Sequence, residues 1–238
     1  APPCQGGGSE FEPRNPLQKN WYVLHISFFI FCKHLRSDQI TPNRPKLQEA
    51  ILMDFLTQIQ EYRPCCEQET IDRERILSLA KWFSEMILTR DCELAHITGS
   101  GMIFNPKRDH VLMVYHNLYK SWSWTGGHAD GEPDQLSVAL REAKEETGVH
   151  GIRALDTGIA ALDLLSVPGH YRRGQYVSAH LHLSVSYLLE ADDSQPLTVR
   201  PEENSGVQWI PIDRLEEFCS EPAMLPIYQK LIRKAVEL

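Results

Sequence analysis

The sequence predicts an α/β protein, a mixed sheet covered by helices in the manner of an α/β or α+β sandwich. Three observations point there. Short runs that read as strands stand on both sides of one helix-period stretch at 134–147. The clearest of them, Ala179 to Tyr187 (AHLHLSVSY), alternates two by two as a half-buried strand should. Further helix-period stretches lie before the first strand and after the last, so helices are available to cover the sheet.

Composition bounds what such a chain does. Its 238 residues suffice for one substantial domain plus an extension, and 42% apolar with 24% charged residues is a globular balance. The net charge of -8 comes from 32 acidic against 24 basic side chains. That excludes a protein whose main task is coating nucleic acid, so no stable nucleic-acid partner is expected. Small phosphorylated substrates stay open, because a metal ion can supply positive charge locally. The six cysteines show neither C-x-x-C spacing nor the paired-histidine pattern of a zinc site, which fits a reduced, cytoplasmic protein. The apolar run Trp21 to Cys32 falls short of the roughly 20 residues a bilayer span needs. It has no basic segment in front and no small-residue cleavage site behind, so no membrane role is expected.

In chain order, Gly6 to Phe11 (GGGSEF) has the look of an engineered linker, and residues 1–52 read as an extension, foreign to the rest or weakly structured. Residues 53–94 read as an N-terminal helical segment. Ile71, Leu77, Leu79, Trp82, Phe83, Met86 and Ile87 recur at helical spacing and predict one helix over 67–89. Strands follow at 95–104, 111–116 and 121–125, punctuated by Asn105-Pro106 and Asn117. A helix is predicted from Asp134, a good N-cap, to Thr147, with Gly148 ending it. Strands at 158–166, 178–191 and 207–211 and helices at 213–218 and 222–236 complete a domain over 95–238.

The helix at 134–147 carries the chemistry. Leu136, Ala139, Leu140 and Ala143 set an apolar stripe, and Glu142, Glu145 and Glu146 fall on another face about 130° away. Three carboxylates near a helix C-terminus repel one another and oppose the helix dipole. Arg141 can pair with Glu145 at i+4, but one cation does not balance three anions. A hard divalent cation that seeks oxygen ligands is the natural complement. A solvated acidic face is the plain alternative. The residues just before the helix argue against it: Thr125-Gly126-Gly127-His128, where glycines let backbone approach a ligand, then Gly131-Glu132.

Gly126 to Val149, GGHADGEPDQLSVALREAKEETGV, resembles the Nudix box, G-x5-E-x7-R-E-U-x-E-E-x-G-U with U apolar. The second half, Arg141 to Val149, matches fully. The first half departs by one residue, since eight rather than seven residues separate Glu132 from Arg141. That insertion bears on Glu132, not on the helix. The resemblance implies a Nudix-type α/β/α sandwich with a mixed sheet, here with an N-terminal helical extension. It implies a diphosphatase that hydrolyses a nucleoside diphosphate linked to another group, with Mg²⁺ as cofactor and Mn²⁺ as an alternative. Carried over, Glu142, Glu145 and Glu146 are metal ligands with the Gly126 carbonyl, and Arg141 holds the glutamates. One of the glutamates, or a later one, takes the proton from the attacking water. A further acid in this family often precedes a tryptophan of a late strand; here Glu203, or next Glu202, precedes Trp209. A homodimer is common in the family.

Other residues divide between function and packing. His180 and His182 lie two apart on a strand and face one side. With His128 and His170 they either line a substrate pocket or are ordinary strand histidines, and a zinc site lacks supporting cysteines. Residues 168–174 read as a basic, glycine-flanked loop in which Arg172 and Arg173 clamp phosphates or are simply solvated. Trp122 and Trp124 fit core packing better than base stacking. Isopentenyl diphosphate isomerases share the Nudix fold, but no cysteine stands near these glycines. An inactive nucleotide-sensing module fits poorly with an intact Arg-Glu-x-x-Glu-Glu. No motif for coenzyme A, ADP-ribose or dinucleoside polyphosphates is present, which leaves the substrate open.

Overall fold

Ten consecutive buried residues, Ala95 to Phe104, mark a strand covered on both faces, and this strand is the axis of the sheet. The structure, a computed structural model, describes residues 45–172 and 174–238, with side chains from Met53 onward. The linker-like Gly6–Phe11 stretch, the apolar run Trp21–Cys32 and Arg173 lie outside the described residues. The helices are α1 (Pro45–Glu61), α2 (Glu67–Phe83), α3 (Gln135–Thr147), α4 (Leu215–Phe218) and α5 (Leu225–Glu237). The strands are β1 (Ala95–Phe104), β2 (His110–His116), β3 (Ser121–Ser123), β4 (Thr125–His128), β5 (Arg153–Ala154), β6 (Ala161–Val167), β7 (His170–Arg172), β8 (Gln175–Val177), β9 (His180–Glu190) and β10 (Asn204–Pro211).

The sheet runs β10-β2-β1-β9-β5, with β3 added to β2, β4 to β1 and β6 to β9. β1 and β9 are parallel over ten positions, from Ala95↔Leu181 to Phe104↔Glu190, while the other pairings are antiparallel, so the sheet is mixed. Alternation along β1 sends neighbours into different cores. Ile97 and Ile103 pack with Phe55, Ile59, Ile76, Ala80, Ala139 and Ala143 of the first three helices. Met102 and Phe104 pack with Tyr228, Leu231 and Ala235 of α5. Full burial of each large apolar side chain contributes roughly 1.5–3 kcal/mol before chain entropy is charged. The result is the expected α/β/α sandwich. Among the described residues no helix is long and apolar enough to cross a membrane.

Several elements differ from the sequence expectation. α1 begins at Pro45, inside the stretch read as extension, and its Phe55 and Ile59 join the domain core. The helix expected over 67–89 stops at Phe83, because Ser84 takes a positive φ of 50° and a 3₁₀ turn, Ser84–Leu88, follows. The strand expected at 121–125 divides at Trp124, with β3 pairing to β2 and β4 to β1. Residues 168–174 are not an open loop: β7 and β8 pair as a small hairpin that turns at Gly174.

One buried ionic knot ties α5 to the rest. Lys230, 4% exposed, bonds Glu69 of α2 at 2.9 Å and Asp163 of β6 at 2.7 Å. Burial pushes the Glu69 carboxyl up, but hydrogen bonds from the Cys65 amide and the Tyr62 hydroxyl, with Lys230, outweigh that and hold it below the usual range.

Candidate active site

The site is built on α3, and the sequence fixes both its ends. The Asp134 side chain accepts the Leu136 and Ser137 amides, each at 3.1 Å. At the other end Gly148 takes φ 73° and donates its amide to the Lys144 carbonyl, a left-handed cap that favours glycine. Before the helix the chain turns sharply, with φ 47° at Asp130 and φ 92° at Gly131. Glu132 works there as well: its carboxylate accepts the Asp134 amide at 3.0 Å, and it lies outside the carboxylate group described below.

The three helical glutamates stand at neighbouring positions of the helix but are unequally buried. The buried side of α3 is made by Val138, Ala139, Ala143 and Glu146 itself, which is 4% exposed. The Glu142 side chain is 14% exposed and that of Glu145 is 43% exposed. Glu142, Glu146 and Glu203 converge, with one carboxylate oxygen from each lying within 4.8 Å of the others. Glu145 turns aside. The expected Arg141–Glu145 pair is absent: Arg141 bonds Glu142 at 3.1 Å, and Glu145 goes instead to Arg200 at 2.8 Å. Arg200 also reaches Glu203 at 3.2 Å and Glu142 at 3.9 Å. Sequence reasoning missed Arg200, and no local signal marks it, since it lies 55 residues from Glu145.

Glu203 arrives because its loop is moored to the end of α3. The Thr198 amide donates to the Thr147 carbonyl at 2.9 Å, and the Asn204 side chain donates to the Glu146 carbonyl at 3.0 Å. The Asn117 amide holds the Glu203 carbonyl from the other side at 3.0 Å. Gly126 and Gly127 of β4 floor the site. Gly126 donates its amide to Glu146 at 3.1 Å. A Cβ on Gly127 would stand 2.5 Å from the Glu142 carboxyl carbon, so only glycine lets that strand lie under the carboxylate.

Electrostatics make the cluster ask for a cation. Burial, followed by the Glu142 and Glu203 charges, pushes the Glu146 pKa up to about 8 against the pull of the Gly126 amide. Burial also raises Glu142, with Arg141 opposing it. Four carboxylates face two guanidinium groups, and neither guanidinium bonds Glu146. Oxygen donors converging on one point in excess of local positive charge suit a hard dication.

The expected substrate-binding residues gather elsewhere. His128, at the end of β4, and His180 and His182 of β9 cluster with His96 of β1, their ring centroids 4.9 to 5.1 Å from that of His96. His170 lies 6.2 Å from His180. Burial is the first cause that lowers His96, His128 (to about 3) and His182 (to about 2), so at neutral pH these are uncharged imidazoles. Arg172 is exposed on β7, and its charge helps depress His128. His96 escaped the sequence reading because it sits inside a wholly buried strand whose partner was not legible. Trp124 is core, edge-on to Tyr228 at 5.4 Å.

A mixed-sheet α/β/α sandwich whose glycine strand runs under a glutamate-bearing helix defines a Nudix-type domain. The NUDIX domain model matches residues 95–232, and the chain belongs to that family: it is a Nudix hydrolase. A "Probable DHNTP pyrophosphohydrolase" of Lactococcus lactis subsp. cremoris (strain MG1363) is 23% identical over 143 residues, 60% of this chain and 81% of that protein. Among solved structures, the E. coli dihydroneopterin triphosphate pyrophosphohydrolase is 13% identical with a TM-score of 0.45, over 60% of this chain and 96% of the other. A C. elegans Ap4A hydrolase is 13% identical with a TM-score of 0.43, over 60% and 98%.

Proposed function

We propose that this chain hydrolyses a phosphoanhydride bond of a nucleoside diphosphate derivative, with Mg²⁺ held by Glu142, Glu146 and Glu203. The observation that carries this is the convergence of those three carboxylates beside Gly126-Gly127. The Gly126 carbonyl completes the ligand set in this reading, and Mn²⁺ is the alternative ion. When bound, such an ion neutralises charge on the diphosphate and acidifies a water. The chain's own residues do the rest. Arg141 fixes the Glu142 carboxylate, and Arg200 gathers Glu145 and Glu203, so the ligands are positioned before substrate arrives. The water's proton passes to a carboxylate at the same spot, Glu142 or Glu203. His128, His180, His182 and the β7–β8 hairpin with Arg172 border the substrate. The pyrophosphohydrolase name of the Lactococcus relative supports the same bond type. Residues 53–94 act as a helical flank to a hydrolase domain at 95–238. A cytoplasmic address belongs to the proposal and rests on cysteines that lie free, Cys65 and Cys66 exposed and Cys92 and Cys219 buried.

The test is release of phosphate, pyrophosphate or nucleotide from a panel of nucleoside triphosphates, dinucleoside polyphosphates and nucleotide sugars. Wild type and Glu146→Gln are each assayed with Mg²⁺ and with chelator. Metal-dependent turnover that falls about 100-fold or more in the variant is expected. Turnover indifferent to chelation or to Glu146→Gln refutes the assignment. Nucleotide binding with no turnover on any compound points to a sensing module instead.

A further inference from the structure

Four histidines crowd one region of the sheet apart from the carboxylates, and we propose that His96, His128 and His182 form a binding site for a second divalent cation, of the nitrogen-preferring transition-metal class that includes zinc. Sheet register brings them together. His96 of β1 pairs directly with His182 of β9, and His128 of β4 pairs with Thr98, two residues along the same face of β1. One ring nitrogen from each of the three lies within 4.8 Å of the others. Tetrahedral zinc holds imidazole nitrogens at about 2.0–2.1 Å, so its ligands stand roughly 3.4 Å apart, a modest side-chain adjustment away.

Hydrogen bonding shows which lone pairs are available. His96 is 5% exposed, and its Nδ1 lies 3.1 Å from the Cys92 carbonyl, which only accepts, so Nδ1 carries the proton. Its Nε2 is then a bare lone pair, and it is buried with no hydrogen-bond partner. A buried acceptor left unsatisfied is costly, and a ligand on that lone pair would relieve it. His180 repeats the pattern, with Nδ1 protonated toward the Ser178 carbonyl at 2.8 Å and Nε2 facing His182 Nε2 at 3.3 Å. His182 therefore donates from Nε2 and keeps Nδ1 unprotonated. Of the three proposed ligands His96 has its ring N–H anchored on a backbone carbonyl, the outer support that metal-bound histidines ordinarily have, and His182 is held by His180.

The donor set discriminates between metals. Imidazole nitrogens suit zinc, copper, iron and nickel, whereas Mg²⁺ prefers the oxygens of the carboxylate site. Of the two cations whose charge reaches His128, Arg90 and Arg172, Arg90 is neutralised by both oxygens of Asp130 at 2.7 and 2.8 Å. Three protein ligands leave a fourth tetrahedral position for water or a substrate oxygen. The inference stands on its own geometry and not on the carboxylate reading.

Co²⁺ titrated into the metal-stripped full chain in excess Mg²⁺ tests it, read by visible absorption and followed by displacement with Zn²⁺. One Co²⁺ per chain with an intense tetrahedral-type band and no thiolate charge-transfer band is expected. Affinity should fall at least about tenfold in His96→Asn, His128→Asn and His182→Asn and be kept in Glu146→Gln. Thiolate character would implicate Cys65 and Cys66, which form another candidate group with Glu69, and would overturn the assignment. So would folded wild type that takes up no Co²⁺, a band unchanged in all three histidine variants, or its loss in Glu146→Gln. The wild-type titration decides without any variant, so a misfolded substitution cannot rescue the proposal.

Discussion

Gly127→Ala isolates the geometry of the site from its chemistry. Gly127 has no positive φ, so its backbone accepts alanine without strain. The three atoms nearest the new methyl all belong to the Glu142 side chain, Cδ at 2.5 Å, Oε1 at 2.7 Å and Cγ at 2.8 Å. Ordinary contact begins near 3.4 Å, so the carboxyl must retreat by about 0.9 Å. The Glu142 side chain keeps 14% exposure and can change rotamer, at a cost of order 0.5–1.5 kcal/mol, so the fold survives. A displacement near 1 Å at a catalytic group is worth about 100-fold in rate, roughly 2.7 kcal/mol of barrier. The assay is Mg²⁺-dependent turnover of the best substrate from the panel, beside a thermal melt and the Glu142→Gln variant. A folded Gly127→Ala enzyme within about threefold of wild type, when Glu142→Gln is crippled, would sink the claim that Glu142 is placed by its contact with this glycine.

Other perturbations test the frame around the site. Lys230→Met strips the cation from buried Asp163 and leaves buried Glu69 only Lys234 at 3.6 Å, and should destabilise by about 3–5 kcal/mol in urea unfolding; a loss below about 1 kcal/mol would mean that Lys234 or water compensates the knot. Glu69 has a depressed folded-state pKa, so its contribution is present above the unfolded carboxylate pKa of about 4.3 and is lost as pH falls through the lower folded value. Urea midpoints followed downward from pH 5 should therefore fall less steeply in Glu69→Gln than in wild type, and equal slopes would contradict the shift. Asp134→Ala removes a side chain that accepts two backbone amides and should cost about 1 kcal/mol, read by thermal melting, with turnover intact once the protein is folded.

How much was legible in the sequence follows from the range of each interaction. The box helix was readable to its ends, because Asp134 and Gly148 act on amides and carbonyls within four residues of themselves. The buried strand β1 and the alternating β9 were readable too, since side-chain period is a property of the chain alone. Composition and the Arg141–Val149 segment sufficed for the hydrolase family. The sequence could not say which glutamates meet. Helical spacing grouped Glu142, Glu145 and Glu146 as equals, yet packing against β1 and β4 turned Glu146 inward and left Glu145 to Arg200. Glu203 was placed near the box by analogy, but what seats it is Asn204 and Thr198 bonding the end of α3, contacts more than 50 residues apart in sequence. The histidine cluster depends on a β1–β9 register that joins His96 to His182 across 86 residues. Local rules fix where elements begin and end; only the closed sheet decides which side chains share a point, because that depends on pairing choices made far along the chain.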